Sequence, residues 1–252
     1  MSNPFDTTDM AAGYAHSRPP VHPRVIDLLR PHLPAGPFDR ALDIGCGAGL
    51  STRALDGVAG CIYGIEPAGG MLRYAGSIAP GAQFAIAAAE ALPFADGAFG
   101  LITAAGSLNW VDLDRFFPEA GRVLCRGGQL VVYDFSAGRS FTDSDALDRW
   151  FEAFRARYPR PASDALYLDP EVLAGVCTGF RAGPNVRFEI PIELSPEFYL
   201  EYILTETNVA HAVRNGTPVG EIRQWCAESL DEIWRDQRRE VLFRGYFATF
   251  ST

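Results

Sequence analysis

Three glycines at alternate positions, Gly45, Gly47 and Gly49, follow a short apolar segment of the 252-residue chain. That segment, residues 41–44, has the composition of a buried strand, and LSTRALD after the glycines is a plausible helix. Glycine permits positive φ angles and lets a ligand lie against bare backbone. At the carboxyl end of the first strand of a parallel sheet, such a loop is a typical place for a nucleotide-like ligand. The same turn can also serve only to pack a strand against a helix.

An acidic residue further along the chain favours the ligand-binding interpretation. Glu66 ends the next apolar run, about 20 residues after Gly45, where a carboxylate can accept hydrogen bonds from both hydroxyls of a ribose. A dinucleotide loop would place a third glycine where Leu50 stands and would bring a helix N-terminus to a pyrophosphate. Asp43 would repel that pyrophosphate but could attract an ammonium group, directly or through water. These residues indicate a ligand with a ribose and a cationic amino group.

The segments that must position these residues follow an α/β pattern, in which apolar runs alternate with possible helices. The apolar runs lie at residues 40–44, 61–66, 83–87 and 99–104, and QLVVYDF follows a Gly127–Gly128 turn. This alternation predicts a parallel sheet covered by helices on both faces, in a doubly wound arrangement. A helix over residues 21–33, with Val25, Leu28 and Leu29 at helical spacing, precedes the sheet, and Pro31 should end or distort its last turn.

The second half of the chain predicts a helical insertion and two paired strands. Apolar residues from Leu147 to Tyr158 form a helical stripe after a candidate cap at Ser144. Ser195 and Pro196 begin a second helix that is apolar nearly all round through NVAHAV, and GEIRQWCAESLDEIWRDQ supplies a third. The stretches NVRFEIPIEL and EVLFRGYFATF could pair antiparallel at the edge of the sheet. With no repeat or flexible linker in this half, we interpret it as decoration of one domain.

Composition excludes several classes of partner. The 31 acidic and 22 basic side chains give a net charge of −9, which argues against a broad nucleic-acid-binding surface. No run approaches the ~18–20 apolar residues of a membrane span, and the first residues lack the order of a signal peptide. We therefore expect no membrane partner and a cytoplasmic location. The five scattered cysteines and four histidines show no metal-ligand spacing, which predicts reduced thiols and no metal site.

Four ordered segments resemble the motifs of the class I S-adenosylmethionine-dependent methyltransferases, in the broad group that acts on small molecules. They are LDIGCGAG, YGIEPAGGML, AEALPFADGAFGLI and RVLCRGGQLVVYD, and the resemblance covers residues 14–135. YAHSRPPVHP and SLNWVD are more narrowly similar to the branch that contains trans-aconitate methyltransferases. The resemblance implies a Rossmann-like sheet of seven mostly parallel strands with an antiparallel last strand. It also implies S-adenosyl-L-methionine as cofactor and a small organic acceptor, a carboxylate on the narrower similarity.

On this basis we expect a single methyltransferase domain over residues 1–252. Residues 1–34 would form an N-terminal lid and helix, and residues 35–136 the cofactor-binding core. Residues 137–252 would form the helical insertion and C-terminal hairpin that cover the acceptor site.

The resemblance also implies which residues bind the cofactor. Glu66 would bind the ribose hydroxyls, Pro67 and Met71 would flank the adenine, and Ala89 and Glu90 would lie at its edge. Two residues of the N-terminal segment would close over the site, of which the arginine is suited to a carboxylate. The expected cofactor residues are Tyr14, Arg18, Asp43, Gly45, Cys46, Gly47, Gly49, Glu66, Pro67, Met71, Ala89 and Glu90.

The acceptor site should lie beyond the fourth strand and under the insertion. Its candidate residues are Asn109, Trp110, Tyr199 and Tyr202, with His211 and Trp225 as further possibilities that could equally be packing residues. Two positions depart from the family pattern. Ala88 replaces an acid that usually binds the adenine amino group, and Asn109 stands where the related branch often has a histidine.

The missing histidine favours acceptors that are already nucleophilic. A carboxylate is ionised at pH 7 and needs only orientation, whereas a phenol, amine or carbon acid would need a base. Two other functions stay open. One is a non-catalytic S-adenosylmethionine-binding protein, and the other is a nicotinamide-dependent oxidoreductase, which the short glycine loop and Asp43 disfavour.

Overall fold

The computed structural model describes residues 15, 17–235 and 237–252. In this part of the chain the strands are β1 Phe38–Ile44, β2 Ala59–Ile65, β3 Ala82–Ala85, β4 Phe99–Ala105, β5 Leu124–Phe135, β6 Ser140–Phe141, β7 Arg181–Leu194 and β8 Arg239–Ser251. The helices are α1 Val21–Leu29, α2 Leu50–Ala54, α3 Gly69–Ile78, α4 Leu113–Val123, α5 Ala146–Arg157, α6 Pro170–Val176, α7 Pro196–Ile203, α8 Thr207–Arg214 and α9 Val219–Trp234. Short 3₁₀ turns lie at Arg30–His32 and Leu108–Trp110.

The strands form one mixed sheet in the order β3-β2-β1-β4-β5-β8, with β7 on the outer side of β8. Strands β1 to β5 pair in parallel, and β8 runs antiparallel to both β5 and β7. Seven of the strands are those expected from the resemblance, and the two-residue β6 adds a short antiparallel pairing to β8. The predicted α/β fold, its antiparallel last strand and the pairing of β7 with β8 are therefore confirmed.

The strand order reverses beside β1, which has β2 on one side and β4 on the other. Chain connections leave β1 and β4 in opposite directions along the sheet, so a crevice opens at their carboxyl ends. Register places Ile44 beside Ile65 of β2 and Ala104 of β4, and Ala105 beside Tyr133 of β5. The loops after β1, β2, β4 and β5 thus emerge along a single edge.

The core occupies both faces of the sheet because successive strand residues point to opposite sides. Chain neighbours fall in different apolar clusters: Ala41, Leu101 and Val131 in one, Leu42, Ile102 and Val132 in the other. The first cluster contains α1 and most of the helices after β6, and the second contains α4 and α6. The helical insertion therefore covers one face and continues the core of the sheet.

The first helix ends as its proline predicts. Helix α1 stops at Leu29, and Pro31 lies in the 3₁₀ turn that follows. Val25 and Leu29 are fully buried, but Leu28 is 43% exposed, so Leu28 does not belong to the buried face. Val25 and Leu29 are thus confirmed, and the buried stripe continues to Val21, four residues before Val25.

Two expectations for the second half need correction. Ser144 does not cap α5, because Asp145 occupies the cap position and the Ser144 hydroxyl accepts a hydrogen bond from Arg239. The apolar segment after Ser195 is two helices, α7 and α8, and not one. Ser195 caps α7 as predicted, since its hydroxyl accepts from the Phe198 N–H.

The break between α7 and α8 follows from its polar residues. The Thr205 hydroxyl donates to the Tyr202 carbonyl at 2.7 Å, which satisfies a carbonyl at the end of α7. Glu206 adopts extended backbone angles at the N-cap position of α8. Both side chains are buried, so the break places a carboxylate inside the insertion.

Candidate functional site

The glycine loop has the backbone conformation that its sequence requires. Gly45, Gly47 and Gly49 have φ angles of 64°, 53° and 91°, which other residues rarely adopt. A Cβ on Gly45 would lie 2.4 Å from the Cβ of Ser107, in the loop after β4. A Cβ on Gly49 would lie 3.1 Å from the backbone of Ala75 in α3. The loop is therefore compressed between two neighbouring elements, and glycine is required for packing as well as for φ.

Glu66 joins this loop to the loop after β2. Its Oε2 accepts a hydrogen bond from the Gly47 N–H at 3.1 Å, and its Oε1 accepts from the Ala68 N–H at 2.9 Å. The residue is 9% exposed, and burial raises the pKa of its carboxyl while the two backbone hydrogen bonds oppose that shift. Each oxygen retains a second acceptor position. The carboxylate is thus fixed at the crevice and can still accept hydrogen bonds from a ligand.

Asp43 lies beneath the glycine loop and is fully buried. Its Oδ2 accepts hydrogen bonds from the hydroxyls of Ser51 (2.6 Å) and Thr52 (2.7 Å), and its Oδ1 accepts from Thr103 (3.0 Å). Desolvation raises the pKa of Asp43 to about 6, against the lowering effect of the three hydroxyls. This geometry does not support a direct contact with a ligand ammonium. It makes Asp43 the centre of a polar network that ties β1 to α2 and β4.

The remaining expected cofactor residues lie around the same crevice. Cys46 and Met71 are both 4% exposed, and burial raises the pKa of the Cys46 thiol. A Cβ on Gly47 would lie 3.3 Å from the Met71 Cε, so the Met71 side chain reaches the loop. Pro67 is exposed on the turn that leads into α3.

The third motif packs against the loop before α4. Ala88 is exposed and Ala89 is 6% exposed. The Glu90 Oε1 accepts a hydrogen bond from the Asp112 N–H at 2.9 Å, so the carboxylate holds the N-cap residue of α4. Tyr14, expected to close over the crevice, lies outside the described residues.

The acceptor candidates separate into two groups. Asn109 and Trp110 lie in the 3₁₀ turn after β4, where the Asn109 amide donates to the Asp134 carboxylate at 3.4 Å. Burial raises the pKa of Asp134, which sits near the end of β5. Trp110 is 57% exposed. These residues lie at the crevice edge, on the β4 side of β5.

Tyr199 and Tyr202 are buried and hold the loop after β5. Their hydroxyls donate to the carbonyls of Gly138 and Ala137, each at 2.8 Å. Gly138 has a φ of 63°, and a Cβ there would lie 2.5 Å from the Phe243 ring. The two tyrosines therefore position the loop after β5, and their rings belong to the core.

Trp225 and His211 lie away from this edge. Trp225 stacks with Trp150 of α5 at a centroid distance of 5.9 Å, which is helix-to-helix packing. The His211 Nε2 lies 3.0 Å from the Asn215 amide. The imidazole and the Tyr158 side chain both line a cavity of about 350 Å³. The structure does not bring either residue to the glycine loop.

Arg18 reaches the acceptor side from the N-terminal segment. Its guanidinium lies 5.1 Å from the centroid of the Tyr202 ring and 3.9 Å from the Glu206 Oε1. Arg160 approaches the other oxygen of Glu206 at 3.7 Å. Arg139 directly follows the two residues whose carbonyls the tyrosines bind. Burial lowers the pKa of Arg139, the charges of Arg160 and Arg155 lower it further, and the charge of Glu206 opposes the shift.

Sequence reasoning missed Arg139, Arg160 and Glu206. They are far apart along the chain and belong to no motif, so only the folding of the insertion over β5 brings them together. Glu206 is one of three glutamates in its segment, with Glu197 and Glu201, so its residue type alone did not mark it.

His22 was also missed as a neighbour of this region. Its Nδ1 lies 2.9 Å from the Tyr133 hydroxyl of β5, and its ring meets Phe135 edge-on at 5.1 Å. Burial, with the charge of Arg18, lowers the pKa of His22 to about 4, so the imidazole is neutral at pH 7.

A larger cavity lies away from this edge. It measures about 500 Å³ and is lined by residues that include Arg30, Leu33 and Phe38, at the amino-terminal end of β1. Because the glycine loop follows the carboxyl end of β1, this cavity lies at the opposite edge of the sheet. Ligands of doubly wound folds bind at the carboxyl edge, so we assign the cavity no role in the site.

Two absences apply to the described residues. These residues include no helix that combines the length and the apolar composition of a membrane span. Among the same residues, no group of three or more histidine, cysteine, aspartate or glutamate side chains could hold a metal ion.

Comparisons with known proteins agree with this geometry. Residues 42–132 match the methyltransferase domain family. A Dictyostelium discoideum protein provisionally named a methyltransferase is 25% identical over 244 residues, which are 95% of this chain and 86% of that protein. The malonyl-[acyl-carrier protein] O-methyltransferase of Enterobacter lignolyticus is 29% identical over 187 residues, 71% of this chain and 70% of that enzyme.

A solved structure shares the whole fold. A protein of Anaeromyxobacter dehalogenans, provisionally described as a type II methyltransferase, superposes with a TM-score of 0.67 at 24% identity. The superposition covers 91% of this chain and 94% of that chain. The domain match spans β1 to β5, the strands whose carboxyl ends carry the glycine loop and Glu66, and the relatives extend along the rest of the chain. Residues 42–132 therefore belong to the methyltransferase domain family, and along most of its length the chain is similar to methyltransferases in sequence and fold.

Proposed function

We propose that this methyltransferase acts on a carboxylate of a small organic acid. The observation that carries the proposal is the position of Arg18, whose guanidinium lies against Tyr202 beside the loop after β5. Arginine pairs with carboxylates through two parallel hydrogen bonds, so it both binds and orients an acid. The crevice at the carboxyl ends of β1 and β2 would hold the cofactor next to it.

The residues of the crevice fit S-adenosylmethionine. Glu66 has acceptor positions left for the two ribose hydroxyls, and Gly47 leaves its backbone bare beside Met71. Met71, Pro67 and Ala89 supply apolar surface for the adenine. Since Ala88 has no carboxylate, adenine recognition would rest on backbone groups and on Glu90, whose second oxygen is not used by Asp112.

Asp43 would act indirectly. Its three hydroxyl partners hold the start of α2 and the strand β4 against β1, and this fixes the path of Gly45 to Gly49. We assign it the role of a positioning residue for the loop.

Methyl transfer to a carboxylate requires the protein mainly to orient the acceptor and the cofactor. When bound, the cofactor supplies a methyl group on a sulfonium, which an oxygen nucleophile takes by in-line displacement. An acid is already ionised at pH 7, so no side chain has to remove a proton. Arg18 would hold the acceptor beside the loop after β5, which Tyr199 and Tyr202 position. Asn109, held by Asp134, is a polar contact for the acceptor and not a base.

The relative from Enterobacter lignolyticus supports an acid as acceptor. Its name describes methylation of an oxygen in a malonyl group, and this chain aligns with 70% of its length. A hydroxyl acceptor would require a base, and a pKa of about 4 makes His22 a weak one.

The test has two steps. Calorimetric titration of cofactor-free protein should show micromolar binding of S-adenosylmethionine and S-adenosylhomocysteine and none of NADH. Incubation with S-adenosylmethionine and a panel of small acids, phenols and amines should then give methyl esters, detected by mass spectrometry. Methylation of phenols or amines alone would overturn the carboxylate proposal. Cofactor binding without any turnover would support the non-catalytic alternative.

A further inference from the structure

The connection between β3 and β4 is long and irregular. Residues 86–98, all of which the structure describes, form neither a helix nor a strand. Ala89 and Leu92 within it are nevertheless only 6% and 4% exposed. The buried N–H and C=O groups of such a segment need hydrogen-bond partners, because it lacks the regular pairing of a helix or strand. Several of these partners come from α4.

Two side chains in the last turns of α4 bind the backbone of this segment. The Glu119 Oε2 accepts a hydrogen bond from the Leu92 N–H at 2.8 Å. The Arg122 guanidinium donates to the Leu92 carbonyl at 3.0 Å and to the Phe94 carbonyl at 2.8 Å. The Arg122 carbonyl in turn accepts from the Gly97 N–H at 2.9 Å. The end of α4 therefore holds the segment at Leu92, Phe94 and Gly97.

Glu119 and Arg122 also hold each other. The Arg122 Nε donates to the Glu119 Oε1 and its Nη2 to the Glu119 Oε2, each at 2.8 Å, which is the two-bond geometry of a strong pair. The side chains of Arg122 and Glu119 are 32% and 24% exposed. Hydrogen bonds from Arg122 lower the pKa of Glu119 to about 2, so the carboxylate is ionised at neutral pH. Each side chain thus fixes the direction in which the other meets the segment.

Helix α4 holds the same segment at its other end. The Glu90 Oε1 accepts a hydrogen bond from the N–H of Asp112, the N-cap residue of α4, at 2.9 Å. The 11 residues of the helix give it a length of about 16 Å, and a helix this short is stiff. The two attachments therefore keep a constant separation. Ala88 and Ala89, which directly precede Glu90, take their position from this arrangement.

The position of this backbone matters because Ala88 has no carboxylate to bind the adenine amino group. Recognition by backbone groups depends on their exact placement, since hydrogen bonds weaken steeply with distance and angle. Adenine presents an amino donor beside a ring-nitrogen acceptor, whereas hypoxanthine presents a carbonyl acceptor beside an N–H donor. A fixed backbone rejects the reversed pattern, because its own groups would stay unpaired. A backbone that can shift adapts to both bases.

We propose that Glu119 and Arg122 are positioning residues for the cofactor, which hold the backbone of residues 88–97 so that the protein selects adenine over hypoxanthine. The proposal rests on the proposed function, which places the adenine beside Ala89 and Glu90. Both side chains act through the segment. Loss of a purely structural contact would lower the stability of the protein and leave its choice of base unchanged.

The test compares binding of S-adenosylhomocysteine and S-inosylhomocysteine, which differ only in the base, by calorimetric titration of the whole chain. The wild type should bind the adenine ligand at least about tenfold more tightly. Arg122→Gln should reduce this ratio at least fivefold, through weaker binding of the adenine ligand. Arg122→Lys keeps the charge but has no planar fork, so it should restore only part of the ratio.

Two variants serve as controls. Arg187→Gln breaks an ion pair with Glu171 between β7 and α6, and should leave the ratio within twofold. Asp96→Asn removes the partner of Arg122 that is 82% exposed, and should also leave the ratio within twofold. Should Arg122→Gln fail to fold, Glu119→Gln provides the same comparison, with an expected reduction of at least twofold.

The outcomes separate this proposal from the proposed function. Equal losses of both ligands in the α4 variants, or an unchanged ratio, would overturn the positioning role while the cofactor site stands. Equal binding of both ligands by the wild type would do the same. A wild type that binds neither ligand would overturn the cofactor site, and the proposed function and the positioning role would fall together.

Discussion

Glu66 contacts two loops and offers its remaining lone pairs to the crevice. Its removal should therefore lower the affinity for the cofactor. We expect Glu66→Ala to weaken S-adenosylmethionine binding by about 10- to 100-fold, equivalent to about 1.5–3 kcal/mol for hydrogen bonds to a charged group. Calorimetric titration measures the change. Glu152→Ala, at an exposed position on α5, is the control. Unchanged affinity in a folded Glu66→Ala protein would remove the residue from the cofactor site.

Gly45 tests whether the loop requires glycine for its φ angle or for space. Gly36 has a similar positive φ of 89° but nothing near its Cβ position, whereas a Cβ on Gly45 would meet Ser107. Gly45→Ala should therefore cost about 1–3 kcal/mol more in the free energy of unfolding than Gly36→Ala. Urea denaturation of both variants measures the difference. Ser107→Gly added to Gly45→Ala should recover part of the loss, and additive effects would contradict the clash.

Asp43 should impose a pH dependence on stability. Its pKa is about 6 in the folded protein and 3.8 for an aspartate in water, as in the unfolded chain, so the folded state binds the proton more tightly. Its contribution is therefore most favourable below pH 4 and falls by about 3 kcal/mol as pH rises past 6. The free energy of unfolding of Asp43→Asn, minus that of wild type, should rise by this amount between pH 4 and pH 7. Parallel pH profiles of the two proteins would refute the assignment.

These residues show what a sequence can reveal about a site. The spacing of the glycines and Glu66 was sufficient to predict where they meet, because each follows the carboxyl end of a strand in a parallel sheet. The environment of Asp43 was not, because Thr103 lies on another strand and approaches only when β4 pairs with β1. The arginines around Glu206 were invisible for the same reason.

At the scale of elements, the loop after β5 depends on α7. Tyr199→Phe would leave the Gly138 carbonyl without its partner in a buried position, which should cost about 1–3 kcal/mol in the free energy of unfolding. Cofactor affinity should stay within twofold, because the glycine loop lies on the other side of β4. Tyr167→Phe, at a side chain that is 79% exposed, should change neither quantity. Denaturation and titration of the two variants check this, and equal stabilities would show that the hydroxyl does not hold the loop.

Element prediction succeeded where periodicity alone decides the structure. Alternating apolar runs predicted the parallel strands, and the stripe from Leu147 to Tyr158 predicted α5, which ends at Arg157 with Tyr158 as its C-cap. The prediction of elements failed where a single side-chain hydrogen bond determines where a helix begins or ends. Thr205 ends α7 within an apolar segment whose pattern is that of a single helix, and Ser144 contacts Arg239 in place of the α5 backbone.

At the scale of the whole molecule, the insertion and the cofactor core share one sheet. Strand β8, the last of the chain, lies between β5 of the core and β7 of the insertion half. The Trp234 ring at the end of α9 meets the Phe141 ring edge-on and the Tyr199 ring at a tilt, with centroid distances of 4.6 and 4.8 Å. Because β8 pairs along its length with strands of both parts, we propose that residues 1–252 fold as one domain.

This proposal predicts a single cooperative unfolding transition. Three of the four tryptophans, Trp150, Trp225 and Trp234, lie in the insertion half, so their fluorescence reports on that half, while far-ultraviolet circular dichroism reports on all helices. The two transitions should coincide. S-adenosylhomocysteine at 100 times its Kd should stabilise both by the same amount, about 2.7 kcal/mol, although it would bind only the core. Glu66→Ala at the same ligand concentration should show a smaller shift in both signals. A ligand shift confined to circular dichroism, with the fluorescence midpoint unmoved, would instead show that the insertion unfolds as a separate unit.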